Sequence, residues 1–312
     1  MKKILFFTLV ILTIASCSEN LPDAELQPVQ PGTQSGNTIR ATTANTQTKT
    51  TIAYGNEDLA AGEISRWSEG DAFAVIFLNE NDEPVWTAVT YTIKPGDGGN
   101  STAEFIANSS LPGEGTYKIR AVYPVIMCYD IPILNFIGQT QNGANANHIG
   151  GHDPMIAELP SVYVDSNGNA EIDLTFQHFA SMLRFRLKND IGNDTDVHLI
   201  TVRSGNPLNR FYNQVRFDAT SANLFQSYDD LQASLTCENS TVAHGGAISD
   251  FYMALPGNIV VDDSADLIIS VHFGEGEVQE FVIPASSTAF LRTPFAPGMR
   301  YYFNLTLTGG NI

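Results

Sequence analysis

The sequence predicts an all-β protein built as two Greek-key β-sandwich domains. Three observations carry this expectation. Apolar residues recur at period two in short runs, as Val89, Tyr91 and Ile93 do within Val85–Ile93, and Phe303, Leu305 and Leu307 within Arg300–Thr308. Between the runs lie turn sequences rich in Gly, Pro, Asn and Asp, drawn from 25 Gly and 15 Pro. No stretch of about twelve residues or more shows the 3.6-residue pattern of an amphipathic helix. A length of 312 residues fits about two domains at roughly 150 residues each.

Residues 1–16 read as an export signal. Met1-Lys2-Lys3 supplies the charged start, and an apolar run follows from Ile4 to Ala15. A bilayer-spanning helix needs about 20 apolar residues, so this run is too short to be a permanent anchor. Ile14-Ala15-Ser16-Cys17 resembles the bacterial lipobox, which assigns Cys17 as the lipidated residue, its thiol carrying diacylglycerol, with palmitate among the acyl chains. Loss of the two leader lysines makes the net charge −20 instead of −18. The chain is therefore expected to stand on its membrane by acyl chains and not by basic attraction to headgroups. Glu19, Asp23 and Glu25 resemble the acidic surface-export signals of Bacteroidetes lipoproteins.

Residues 17–48 are rich in Pro, Gln, Thr and Asn with few large apolar side chains. Such a segment buries too little apolar surface to offset chain ordering, so it reads as a tether, or at most as an edge strand that can be removed. Arg40 is the only arginine between Cys17 and the first confident strand. The first domain is placed at 49–170, with strands Thr50–Tyr54, Ala72–Leu78, Val85–Ile93, Ala103–Ala107 and Thr116–Tyr123. A long loop over Ile131–Pro160 follows, then the strands Ser161–Val164 and Ala170–Phe176, joined across Asp165–Asn169. Asn167-Gly168 is the strongest hairpin signal in the chain.

The second domain, 171–312, holds the remaining strands. These are Met182–Leu187, Val197–Val202, Gln214–Asp218, Ser234–Thr236, Ile248–Ala254, Leu267–Phe273, Glu277–Ile283 and Arg300–Thr308. Its boundary is set near Ala170–Phe176.

Charge excludes nucleic acid as a partner. With 34 Asp+Glu against 16 Lys+Arg, the surface repels polyphosphate and lacks the clustered cations that counterion release requires. Catalytic motifs are absent: there is no Gly-x-Ser-x-Gly elbow, no His-Glu-x-x-His, and no cysteine beside a base. The protein is read as a non-enzyme with no cofactor and no metal. Asp165–Glu171 resembles an EF-hand loop only superficially, because the closing position is Phe176. His148, His152 and Asp153 offer three potential metal ligands without an identifiable fourth. Cys128 and Cys237 are far apart in sequence and favour two separate buried thiols. Trp67 and Trp86 are read as core packing, with an exposed glycan-binding platform as the alternative.

Several segments resemble, in order, the fimbrillin-like proteins of the Bacteroidetes, the pilins and pilin-associated lipoproteins of type V pili. Lys49-Thr50-Thr51 is followed by Arg66-Trp67-Ser68-Glu69-Gly70-Asp71 and an apolar strand. Tyr117–Pro124 is similar to the family's strand ending in Tyr-Pro. Gly151–Ala157, Leu174–Phe185 and Pro297–Leu305 are similar to its later strands. Within Leu174–Phe185, His178 is read as a structural histidine.

The resemblance implies two transthyretin-like sandwiches and a lipid-anchored outer-membrane or surface location. It also implies a structural or accessory role in fimbriae or adhesion, with other pilin subunits or host and bacterial surface ligands as partners. It implies assembly by strand exchange as well. An arginine-specific protease would cut after the lipidated segment, with Arg40 as the candidate processing residue, and a strand of the next subunit would fill the groove. The alternative is a stand-alone glycan-binding surface lipoprotein with a similar sandwich.

Overall fold

The structure, a computed structural model, describes residues 38–43, 47–52, 66–125, 133–207, 211–218, 223–230, 232–257, 265–285, 295 and 297–308, with the backbone alone at 47–52, 133–134, 212, 216–218 and 223–230. The chain runs β1 (Thr38–Thr43), β2 (Gln47–Ile52), β3 (Ala72–Leu78), β4 (Val89–Ile93), β5 (Thr102–Ala107), β6 (Gly115–Tyr123), β7 (Ile133–Asn135) and β8 (Gln139–Asn142). A 3-10 helix at Asn147–His152 precedes β9 (Met155–Val164), β10 (Ile172–His178), β11 (Ala180–Asn189), β12 (Thr195–Ser204), β13 (Phe211–Asp218) and β14 (Asn223–Asp230). Then come β15 (Gln232–Glu238), β16 (Thr241–Val242), β17 (Ser249–Pro256), β18 (Leu267–Phe273), β19 (Glu277–Ile283) and β20 (Met299–Leu307). The all-β class holds.

Seven strands close into a barrel in the order β1-β10-β9-β6-β3-β4-β5, so the first set is hydrogen-bonded around a full ring, a closed counterpart of the expected sandwich. Alternation explains its core. Phe73, Val75 and Phe77 on β3 are fully buried, while Ala74 and Ile76 between them face outward. The turn that launches β3 depends on Gly70, whose φ of 86° suits glycine. Asp71 closes that turn by accepting a hydrogen bond from the Ser68 amide at 2.7 Å.

The remaining strands form a four-stranded sheet β17-β11-β20-β2, a six-stranded sheet β19-β18-β12-β15-β8 with β16 against β12, and a small sheet β14-β13-β7. Phe185 and Phe303 from the four-stranded sheet stack with centroids 5.6 Å apart. They share one core with Ile200, Leu235 and Val271 of the six-stranded sheet. A third cluster joins the two cores. Val122, Ile76 and Ile156 on the barrel's outer face meet Phe179, Ala180 and Ala254.

β10 lies beyond the expected division at 170/171 yet is paired within the barrel, and the chain leaves the barrel at Phe179. There the Phe179 amide donates to the Pro154 carbonyl at 2.7 Å, and its carbonyl accepts from the Gly257 amide at 3.0 Å.

Three expectations are corrected. The tether expected at 17–48 contains β1, which is not an edge strand, because it has β10 on one side and β5 on the other. The long loop expected at Ile131–Pro160 contains β7, β8 and most of β9. Proline at 160 is tolerated in β9 because the register against β6 shifts between Tyr117 and Ile119. Its missing N–H therefore falls at an irregularity in the ladder. β14 was not anticipated, its sequence Asn223-Leu224-Phe225-Gln226-Ser227-Tyr228-Asp229-Asp230 being too polar to signal a strand.

The outer edge of β17 is closed without a strand. Gln139 and Gln141, alternate residues of β8, are buried and turn their amides onto the β17 backbone. Gln139 Nε2 donates to the Ala254 carbonyl at 2.8 Å and Oε1 accepts from the Ala254 amide at 2.7 Å. Gln141 Nε2 donates to the Asp250 carbonyl at 2.8 Å, and Oε1 accepts from the Tyr252 amide at 2.9 Å. Two side chains thus meet four of the groups that an added strand would need, and His148 Nε2 lies 2.9 Å from a fifth, the Tyr252 carbonyl.

Candidate functional site: the slot of the first strand

β1 is a strand because four of its six residues are β-branched and its alternate residues find an apolar interior. Ile39, Ala41 and Thr43 point inward and are 1%, 0% and 3% exposed. Thr38 and Arg40 point to solvent. On one side β1 runs parallel to β10, with Ile39 opposite Ile172 and Thr43 opposite Phe176. On the other it runs antiparallel to β5, with Thr38 opposite Ile106 and Thr42 opposite Thr102.

Trp67 forms the floor of this slot. Its indole N–H donates to the Ala41 carbonyl at 3.1 Å, and its ring meets Phe105 of β5 edge-on at 4.9 Å and Phe176 of β10 at 5.5 Å. One tryptophan therefore touches β1 and both strands that flank it. On the outer surface the Arg40 guanidinium grips Asp173 of β10 through Nε at 2.8 Å and Nη2 at 3.2 Å. Asp173 stands directly opposite Arg40 in the register, and its carboxylate raises the guanidinium's pKa. Both side chains are more than half exposed, so the pair sets register more than it adds stability. The Thr42 and Thr102 hydroxyls, 3.0 Å apart, link β1 to β5. The site offers backbone donors and acceptors on two edges and an apolar floor, which is the chemistry of strand binding.

Other sequence-predicted residues are placed as follows. Cys17 and Cys128 lie outside the described residues. Cys237 is a free, buried thiol whose pKa burial pushes up from 9.0 to about 12. Burial likewise raises the phenols of Tyr91 and Tyr123.

All three groups stay neutral in the folded protein. Their contribution to stability is complete below the unfolded pKa values and is lost as pH rises from about 9 toward the folded values. The denaturation midpoint is expected to fall between pH 8 and about pH 10.5, and less steeply in Cys237→Ala; an unchanged slope in that variant would show that the thiol does not contribute.

His148, His152 and Asp153 do not converge. His148 Nε2 sits 2.9 Å from the Tyr252 carbonyl, His152 Nδ1 2.9 Å from the Asn135 carbonyl, and Asp153 Oδ2 2.8 Å from His178 Nδ1. His178, 5% exposed, thus ties β10 to the start of β9. Trp67 is buried, whereas Trp86 is 43% exposed, so the two tryptophans do not share a platform.

Arg66 was passed over in the sequence. It is exposed, lies outside any strand and donates through Nη1 to the Gly99 carbonyl at 2.7 Å. Its position one residue before Trp67 was the available signal.

No curated protein matches the chain. Solved structures do. A candidate cell adhesion protein from Bacteroides ovatus is 14% identical with a TM-score of 0.52, the match covering 88% of this chain and 93% of that one. Another from Bacteroides fragilis is 11% identical with a TM-score of 0.53, covering 88% and 94%. A third, from Bacteroides uniformis, is 13% identical with a TM-score of 0.51, covering 78% and 88%. At such identities the likeness speaks for the fold alone. The profile of the fimbrillin-like family, by contrast, matches residues 51–312, which takes in the slot's floor at Trp67, both flanking strands and the whole second core. On that match the chain belongs to the fimbrillin-like family.

Proposed function

We propose that the chain is a lipid-anchored fimbrillin-like protein of the bacterial cell surface, a structural or accessory subunit of fimbriae that acts in adhesion and assembles by strand exchange at the β1 slot. Family membership supports the fimbrial and adhesive role, as do the candidate cell adhesion proteins that share the fold. In this reading Cys17 carries the lipid and the partners are other subunits or surface ligands.

The observation that carries strand exchange is the slot itself. Withdrawing β1 would bare backbone groups along β10 and β5, an apolar floor, and the Trp67 N–H that now reaches Ala41. A foreign strand with small or β-branched side chains at alternate positions would satisfy all three. β20 is a poor donor from the same fold, because Tyr301, Phe303 and Leu305 are buried in the second core.

Arg40 lies in the middle of β1 with ladders on both sides, so a protease reaches its peptide bond only when β1 opens. Treating the mature protein with an arginine-specific protease is expected to cut slowly at Arg40, faster in mild denaturant, and to yield a detergent-resistant oligomer ladder. Arg40→Ala should abolish both cut and ladder. A ladder that persists in Arg40→Ala and disappears in Arg66→Ala would move processing to Arg66, releasing β1 and β2 together. Cleaved protein that stays monomeric would overturn strand exchange.

A further inference from the structure

The two strands nearest the chain ends share a geometry that the adhesive role does not by itself require. β1 is parallel to β10, and β10 runs toward the junction at Phe179, so the N-terminal end of β1 lies at the end of the barrel farthest from that junction. β20 is parallel to β11, which starts at the junction and runs away from it, so the C-terminal end of β20 lies at the far end of the second set of sheets. Neither strand is an edge: β1 sits between β10 and β5, and β20 between β11 and β2. The strands they lean on, β10 and β11, are one stretch of chain interrupted only at Phe179.

We propose that the described strands form a load-bearing link, in which tension between the N-terminal end of β1 and the C-terminal end of β20 passes through two parallel ladders in shear, β1 on β10 and β11 on β20, joined covalently through Phe179. Force along a strand strains every rung of its ladder together, so the rungs break at once. Force at one end of a ladder opens them one after another. The rate of forced rupture follows the unfolding barrier, and that barrier is higher when all the rungs must break together.

The ladders are long enough to matter, with five paired positions between β1 and β10 and eight between β11 and β20. Side chains pin the first ladder against slippage. Arg40 grips Asp173 across it, Thr42 meets Thr102 on the other side, and Trp67 holds the Ala41 carbonyl from within. The source of the load rests on the surface-anchored reading above, but the geometry needs neither anchoring nor cleavage.

The test uses one chain carrying three short peptide tags, at the N-terminus of the mature protein, at the C-terminus, and between Ser166 and Asn167 in the exposed turn before β10. Single molecules are pulled in two ways. Between the two termini, β1 and β20 are sheared. Between the N-terminal tag and the turn tag, β1 is peeled from β10, because both tags sit at the same end of that parallel pair. The first rupture is expected at a force at least about twofold higher in the end-to-end pull. Equal forces, or a lower end-to-end force, would overturn the proposal. Because both pulls use the same molecule, a folding defect caused by the tags cannot imitate the difference. A protein that fails to polymerise after cleavage can still show the ratio, so the two proposals fail separately.

Discussion

Replacing Trp67 by alanine is expected to cost about 3–5 kcal/mol of folding stability, the range for emptying a large buried aromatic site. The ring is 1% exposed and packs edge-on against Phe105, Phe176 and Tyr123, so its loss leaves a hole touching β1, β5, β6 and β10. Trp67→Phe separates packing from hydrogen bonding. It keeps an aromatic ring but removes the indole's hydrogen bond to the Ala41 carbonyl, a loss of about 0.5–1.5 kcal/mol for an ordinary hydrogen bond. Urea midpoints followed by circular dichroism measure both. A change below about 1 kcal/mol in Trp67→Ala would show that the slot does not depend on this floor.

The second large effect is expected where the two cores meet. A methyl group built on Gly257 would lie 2.5 Å from the Phe179 carbonyl oxygen and 2.5 Å from Pro297 Cγ. The first obstacle is backbone, and the second is a rigid ring, so neither yields as a flexible side chain would. Gly257→Ala must displace the Phe179 carbonyl, which accepts from the Gly257 amide. A cost of about 3 kcal/mol follows from overpacking, and a fall in Tm of roughly 6–12 °C for a protein of this size. Gly113 is the control, having nothing within 4 Å of a built methyl. Gly113→Ala should leave Tm unchanged, and a similar drop in both variants would mean that loss of glycine itself, and not the junction, is responsible.

Much of the fold was legible because alternation reports a half-buried strand directly. Ala72–Leu78, Leu267–Phe273 and Glu277–Ile283 were read as strands from short apolar or alternating runs bounded by turn residues, and stand in the structure with the same bounds. What stayed hidden are strands whose alternate residues are not apolar. β8 reads Gln-Thr-Gln-Asn because its inward side chains bond a neighbouring backbone instead of filling a core. β1 offers one large apolar residue, Ile39, and is held as much by its neighbours as by its own sequence.

The candidate site was legible to a similar degree. Arg40 was singled out as a lone arginine, and Trp67 as core packing. No local pattern states that the indole would reach the carbonyl of Ala41, because that bond joins residues brought together only when β1 closes the ring. Nor does any local pattern place Asp173 opposite Arg40.

The amides of Gln139 and Gln141 carry a consequence for how the chain comes to be folded. Gln139 bonds Ala254 across a separation of 115 residues, and Gln141 bonds Tyr252 across 111. During synthesis β8 emerges long before the backbone it will seal, and β17 meets its glutamines only after such a loop has closed. Closing a longer loop adds little to the equilibrium cost, but non-local pairing is slow to form. There is thus an interval in which the second core has gathered while the flank of β17 still offers its N–H and C=O groups to any passing chain. The two glutamines make the mature molecule inert along this flank, and they leave its immaturity as the period when unwanted association begins.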